Sequence, residues 1–361
     1  MLFTAACQRL VRALLVQELA DGSGRAIQPA EAAAWPDDLS LDTDGLGLGL
    51  DRLELVGCGT AVNQFFRLHE TGLEDYLLAE RRLDAFVRII EAALAEGTSG
   101  LTFRTSGSSG AKRPCTHSHA SLAAEVAHWA GVFADRRRII QLVPPHHIYG
   151  TMFTVLLPQA MVVAVLDGRA LPPGRLARAL RADDLLVGFP AGWPSLLRSL
   201  ESLPAGIRAV SSTAPLPATT SHALRQAGAA EVIEIYGSSE TAGIAARGAP
   251  DQAFTLLPSW RAGQHHRGCD RPGGQPARPC RMGRRRRPAP ARPQGSGGAG
   301  GRHQCLPGTG RGQVGCASAG GRGHGPARHG FTRDTAEGLR HLARPQGPCA
   351  GRQGAGGLVP R

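Results

Sequence analysis

Apolar residues recur at helical spacing at Leu10, Leu14, Leu15 and Leu19, and Asp21-Gly22-Ser23-Gly24 then breaks the pattern, which predicts a first helix and its end. A long polar loop rich in Pro and Asp follows. A second helix is predicted from about Arg52 to Leu68, with Leu53, Val56, Ala61, Val62, Phe65 and Phe66 as its apolar set. Tyr76, Leu77 and Leu78 form a short third patch, and a last helix is expected over 83–94. From residue 97 the pattern changes. Short apolar runs at 139–143, 161–166, 185–189, 207–211 and 231–235 read as strands, and helical spacings at 120–133, 172–180, 194–200 and 217–227 lie between them. Ser118 or Ser121 is the expected cap of the first of these helices. Such alternation predicts α/β layers.

The last stretch differs in kind. Residues 261–361 contain no Ile, Lys, Tyr, Trp or Asn, their one Phe is Phe331, and 25 of the 101 residues are Gly without a collagen-like period. A segment this poor in apolar side chains does not offset its ordering entropy and is expected to be disordered. Three parts follow: a small all-α domain over 1–96, an α/β core over 97–257, and a low-complexity Arg/Gly/Pro-rich tail over 258–361.

Charge sharpens this division. The formal net charge is +12, which by itself suggests a nucleic-acid partner. Residues 261–361, however, carry 19 Arg against 3 acidic residues, and residues 1–260 carry 22 basic against 26 acidic, so the ordered-looking part is mildly acidic. The tail also lacks Tyr and Trp for stacking on bases, and a nucleic-acid role ranks last. One lysine, Lys112, stands against 40 arginines, the mark of a GC-rich gene, and the tail has the composition of such a gene read in a shifted frame. Eight cysteines show no Cys-x-x-Cys spacing, so neither a zinc ribbon nor a redox pair is indicated. The apolar stretch 148–166 holds Pro158 and Gln159 and reads as a buried helix followed by a buried strand, not a membrane span. No export signal is legible, which makes the cytoplasm the expected location.

The candidate chemistry begins with Thr105-Ser106-Gly107-Ser108-Ser109-Gly110-Ala111-Lys112-Arg113. Glycines let backbone N–H groups approach phosphate oxygens, hydroxyls donate, and a cation balances the charge. Ala111 precedes Lys112 where a Walker A loop requires Gly. Three further segments follow in order: Pro144-Pro145-His146-His147-Ile148-Tyr149-Gly150, Ser211-Ser212-Thr213-Ala214-Pro215-Leu216, and Ile235-Tyr236-Gly237-Ser238-Ser239-Glu240-Thr241, the last fed directly by a predicted strand.

Together these segments, spanning residues 101–248, resemble the nucleotide-binding core of the adenylate-forming (AMP-binding) acyl-activating enzymes. The resemblance implies an α/β core of that type. It also implies that Thr105, Ser106, Gly107, Ser108, Ser109, Gly110, Lys112 and Arg113 hold the triphosphate. A gapless match puts Arg113 at the family's lysine and Lys112 at its proline. In the family a Pro-x-x-His-x-x-Gly segment closes over the acyl pocket, which gives His147 a gating role. Ala214 and Pro215 would lie against adenine, with Thr213 standing where the family has Gly. Tyr236 would meet adenine beside Gly237, Ser239 the α-phosphate, and Glu240 a magnesium ion; Glu240 and His147 are the implied catalytic residues. The implied reaction is ATP- and Mg²⁺-dependent activation of an acyl or aryl acid, followed by transfer to CoA or to an acyl carrier protein, with no membrane partner.

Two departures accompany the resemblance. The family's small C-terminal domain bears a catalytic lysine, and no lysine follows Lys112. A truncated, catalytically impaired nucleotide-binding remnant is therefore the alternative reading. In the first 96 residues, Gly49-Leu50-Asp51-Arg52-Leu53-Glu54-Leu55 resembles the attachment site of an acyl carrier protein, with Arg52 at the serine's place. An arginine cannot form that phosphodiester, so no phosphopantetheine arm is expected, and a plain helical cap is the other reading of this unit.

Overall fold

A computed structural model of the chain describes residues 2–42, 47–105, 113–200 and 202–260. The tail beyond 260, with its Arg284-Arg285-Arg286-Arg287 run, lies outside the described residues. In chain order the elements are α1 (Thr4–Gly22), α2 (Pro29–Ala33), α3 (Arg52–Phe66), α4 (Tyr76–Ala79), α5 (Leu83–Glu96), β1 (Gly100–Arg104), β2 (Pro114–Ser118) and α6 (His119–Val132). They continue with β3 (Arg138–Gln141), α7 (Ile148–Thr151), a π-helical turn (Met152–Leu156), α8 (Leu157–Met161), β4 (Ala164–Asp167), α9 (Pro173–Ala179), β5 (Asp184–Gly188) and α10 (Trp193–Ser199). The last are β6 (Arg208–Ser211), α11 (Ala218–Gln226), β7 (Glu231–Ser238), β8 (Ala242–Arg247) and β9 (Thr255–Leu256).

The α/β architecture is as expected. A seven-stranded sheet has the order β4-β3-β5-β6-β7-β8-β9; the first five run parallel, and β8 and β9 return antiparallel. Strand alternation divides its side chains between two cores. Ile139, Leu185, Val187, Val210 and Ile233 join a cluster with α1, α3, α5 and α6, whereas Ile140, Leu186, Ala209 and Val232 pack with α9, α10 and α11. Burial on both faces explains why these strands read as short continuous apolar runs. Register pairs of opposite charge close the amino ends: Arg138 forks onto the buried Asp184 at 2.8 Å, and Arg208 bonds Glu231 at 2.6 Å.

The helices 4–96 share the first of those clusters, which runs from Leu2 to Leu257 without a break. The expected boundary at residue 96 thus falls within one compact unit, because α3 and α5 pack on α1, α3 also packs on β1, and α1 reaches the π-helical turn. α3 starts with a capping box in which Asp51 Oδ1 accepts the N–H of Glu54 at 2.8 Å and the Glu54 carboxylate accepts the N–H of Asp51. Two residues of its expected apolar face point outward: Leu53 is 83% exposed and Val56 48%.

Three other expectations shift. Ser118, not Ser121, caps α6, its Oγ accepting the N–H of Ser121 at 3.1 Å. The strand expected over 161–166 begins at Ala164, since Val162 adopts φ +55 at the end of α8, and β4 is a partly exposed edge strand, not a buried one. The strand expected over 231–235 continues to Ser238 before the chain turns into β8. Among the described residues no helix is long and apolar enough to cross a membrane.

Candidate active site

The parallel strands deliver their carboxyl ends, and the loops leaving them, to one cavity of about 660 Å³, the usual place for a ligand in an α/β sheet. Thr105, Arg113, His147, Gly237, Ser239 and Glu240, six of the residues singled out in the sequence, line it.

The two flanks of the Ser/Gly loop hold each other. The N–H of Thr105 donates to the Arg113 carbonyl at 2.9 Å, and the N–H of Arg113 donates to Thr105 Oγ1 at 3.1 Å. Ser106, Gly107, Ser108, Ser109, Gly110 and Lys112 lie outside the described residues. Arg104, also in the cavity wall, bonds Gln64 at 2.8 Å and Glu18 at 3.2 Å, which ties this rim to α3 and α1.

β7 presents Gly237, Ser238 and Ser239 by a tight turn into β8. Thr241 Oγ1 accepts the N–H of Ser238 at 3.0 Å, Ser238 Oγ accepts that of Glu240 at 3.3 Å, and Ala242 sits at φ +55. A cross-link from β2, His117 Nε2 to the Ser239 carbonyl at 2.8 Å, holds the turn against the hairpin carrying the Ser/Gly loop. The Glu240 carboxylate is exposed at the rim. No group of three or more His, Cys, Asp or Glu among the described residues could by itself hold a metal. One exposed carboxylate is what the protein would contribute to a magnesium ion held otherwise by phosphate oxygens.

His147, exposed at the wall, immediately precedes α7. The loop before it is compact because Gly150 lies on the Pro144 carbonyl: a Cβ there would stand 1.9 Å from that oxygen. Thr151 Oγ1 donates to the Pro145 carbonyl at 2.6 Å. Behind His147 the wall becomes apolar through Ile148, Tyr149, Met152, Phe153 and Ile235. Met152 and Phe153 belong to the π-helical turn, a distortion common at functional sites. The Tyr149 hydroxyl lies 3.0 Å from the Gly188 carbonyl and 2.9 Å from that of Val210, at the ends of β5 and β6, and burial pushes its pKa well above the usual tyrosine value.

From the turn after β6 the wall takes Ser212 and Thr213, while Ala214 and Pro215 stand exposed beyond it. Thr213 has φ +79, the conformation glycine adopts without strain. The turn is anchored by Glu234 of β7, whose Oε1 accepts the N–H of Leu216 at 2.9 Å and whose other oxygen pairs with Arg247. Tyr236 does not line this cavity; it is 39% exposed and its ring packs 5.9 Å from Phe254.

Sequence reasoning passed over Glu125, which lines the cavity from α6. The signal was present: Leu122, Glu125, Val126 and Trp129 are spaced as one buried stripe, with a carboxylate inside an apolar pattern. Arg104 and Glu234 were passed over too, and nothing local marks either.

The α/β sheet thus carries at its carboxyl ends a cavity rimmed by hydroxyls and a cation and backed by an apolar wall. Residues 100–268 match the family described as AMP-binding enzyme. The 4-coumarate–CoA ligase of Halorhodospira halophila is 42% identical over 253 residues, 70% of this chain and 63% of the relative. That of Rhodobacter capsulatus is 40% identical over 261 residues, 69% of this chain and 67% of the relative. The ATP-bound MatB of Rhodopseudomonas palustris, at 14% identity, covers 68% of this chain and 56% of its own with a TM-score of 0.40. The chain belongs to the adenylate-forming, AMP-binding enzyme family, whose general reaction activates a carboxylic acid as its acyl adenylate. It spans between 55% and 67% of the length of the curated relatives it matches.

Proposed function

We propose that this chain carries the ATP- and acid-binding part of a ligase that activates an aryl acid of the 4-coumarate type and passes it to a thiol, that of CoA or of a carrier protein. One observation supports the reading most: a single cavity joins Thr105, Arg113, Ser239 and Glu240 to an apolar wall of Tyr149, Met152 and Phe153. A carboxylate lying against that wall has its oxygen directed at the α-phosphorus; the new O–P bond forms as the bond to the β-phosphate breaks and pyrophosphate leaves. Arg113, with Lys112, meets the phosphate charge, and the Ser239 hydroxyl donates to an α-phosphate oxygen. Glu240 would hold magnesium, which supplies charge neutralisation at the phosphates when bound. Tyr149 and Phe153 keep water from the acid, and His147, exposed at the wall, closes over it. Attack of the thiolate sulfur on the acyl carbon then releases AMP. Arg52 provides no hydroxyl for a phosphopantetheine arm, so the thiol is supplied from outside this chain.

ATP·Mg²⁺ should raise the melting temperature of the 361-residue protein, and Glu240→Ala should diminish that rise. Equal shifts in wild type and variant would remove Glu240 from the metal site. Pyrophosphate release measured over fatty, aromatic and hydroxy-aromatic acids tests the acid half of this reading: release greatest with the hydroxy-aromatic acids is expected, and release with a fatty acid alone would overturn it.

A further inference from the structure

The apolar wall of the cavity contains one ionisable group that the family motifs leave unused. Glu125 is 8% exposed, lies in the buried stripe of α6, and lines the cavity. Its Oε2 accepts the N–H of Gly243 at 3.1 Å, and its Oε1 accepts the Trp129 indole N–H at 3.3 Å. Trp129 packs 5.3 Å from Phe153, which in turn packs 5.3 Å from Tyr149, so the carboxyl belongs to the aromatic part of the site. Gly243 is shaped to admit it: a Cβ at that position would lie 2.4 Å from Oε1 and 2.8 Å from Leu257. The Gly243 carbonyl is held as well, accepting the Trp260 indole N–H at 2.7 Å.

A purely structural role, pinning α6 to β8, accounts for two of the roughly four lone-pair sites of a carboxylate. It does not account for a carboxyl set in the wall of a cavity where an amide or hydroxyl would pin the same strand at lower desolvation cost. The geometry points to Glu125 as the specificity-determining residue of the acid site, hydrogen-bonded to a hydroxyl carried by the aryl ring of the acid. The inference rests on the aryl-acid reading above and adds the group that reads the ring. Burial raises the pKa of Glu125, so the proton needed for this bond can reside on either partner: the carboxylate accepts from the hydroxyl, or the neutral acid donates to it. A site that offers a remaining lone pair of a buried carboxyl to a hydroxyl favours the acid that carries one over the analogue that lacks it.

The test is equilibrium binding of 4-coumarate and cinnamate, which differ by the ring hydroxyl, to the full 361-residue chain by titration calorimetry. Wild type should bind 4-coumarate about tenfold or more tightly than cinnamate. Glu125→Met, which keeps length and removes both oxygens, should bring the two within about threefold, and Glu125→Gln, which keeps a hydrogen-bonding head, should restore part of the preference. A merely structural Glu125 would weaken both acids together and leave their ratio unchanged. Equal binding by wild type overturns the inference and leaves the acid site standing, and this measurement decides the matter even if Glu125→Met fails to fold. A preference that persists in Glu125→Met also overturns it. If neither acid binds while ATP does, the aryl-acid reading falls and the inference with it.

Discussion

At the rim of the cavity, Arg113, Ser239, Glu240 and His147 stand on loops leaving strands, half-buried or exposed; in its apolar wall, Tyr149, Met152 and Phe153 sit on a helical turn, Glu125 on α6, and all four are buried. The rim is made of short contiguous segments whose side chains touch little protein. The wall is gathered from α6, α7, the π-helical turn and β8, and its side chains are packed into the core while also facing the cavity. Substitutions in the two regions should therefore fail differently: through ligand affinity at the rim, through stability in the wall.

The largest effect expected is in the wall. Phe153 is 1% exposed and packs on Trp129, Phe133 and Tyr149. Phe153→Ala should cost about 3 kcal/mol in urea unfolding. Glu240→Ala at the rim should stay within about 0.5 kcal/mol of wild type. Comparable losses at both positions would erase the distinction. Next in size is Arg113→Ala, which should weaken ATP binding about tenfold, with Lys112→Ala costing less, because a guanidinium fork suits phosphate oxygens and Arg113 lines the cavity at its rim. The reverse order, read by calorimetry with ATP, would shift the loop's alignment by one residue. The smallest expected effect sharpens the comparison at the turn after β6. Thr213 holds φ +79 without a glycine's freedom. Thr213→Gly should raise the urea midpoint by an amount equivalent to about 1 kcal/mol. A loss of stability would show that the Thr213 side chain contributes more than its backbone costs.

Much of this was legible along the chain. The strands expected at 139–143, 185–189, 207–211 and 231–235 lie within a residue or two of β3, β5, β6 and the start of β7, because strands buried on both faces leave uninterrupted apolar runs. The segments of the rim stood out for a different reason: Gly, Ser and Thr with a cation are concentrated there in a few consecutive residues, the composition that a phosphate-binding loop would need. β1 and β2 went unread, since a two-stranded hairpin with Thr102, Thr116 and Arg104 lacks a long apolar run. Leu53 and Val56 were assigned to the buried face of α3 on hydrophobicity alone, although α3 turns Leu55, Cys58, Val62 and Phe66 inward.

By itself, the amino-acid sequence determined the layer type and the alternation of helices with the central parallel strands, because periodicity and local composition are properties of neighbours in the chain. It did not determine which apolar face covers which. Tertiary structure alone decided that helices 4–96 join the sheet's own core, that Ser212 and Thr213 rather than Ala214 and Pro215 form the cavity wall, and that Glu125 meets Gly243, 118 residues away. The physical reason is that a buried stripe specifies the need for a partner surface and not its identity, which is settled only when side chains from distant segments close-pack around one volume.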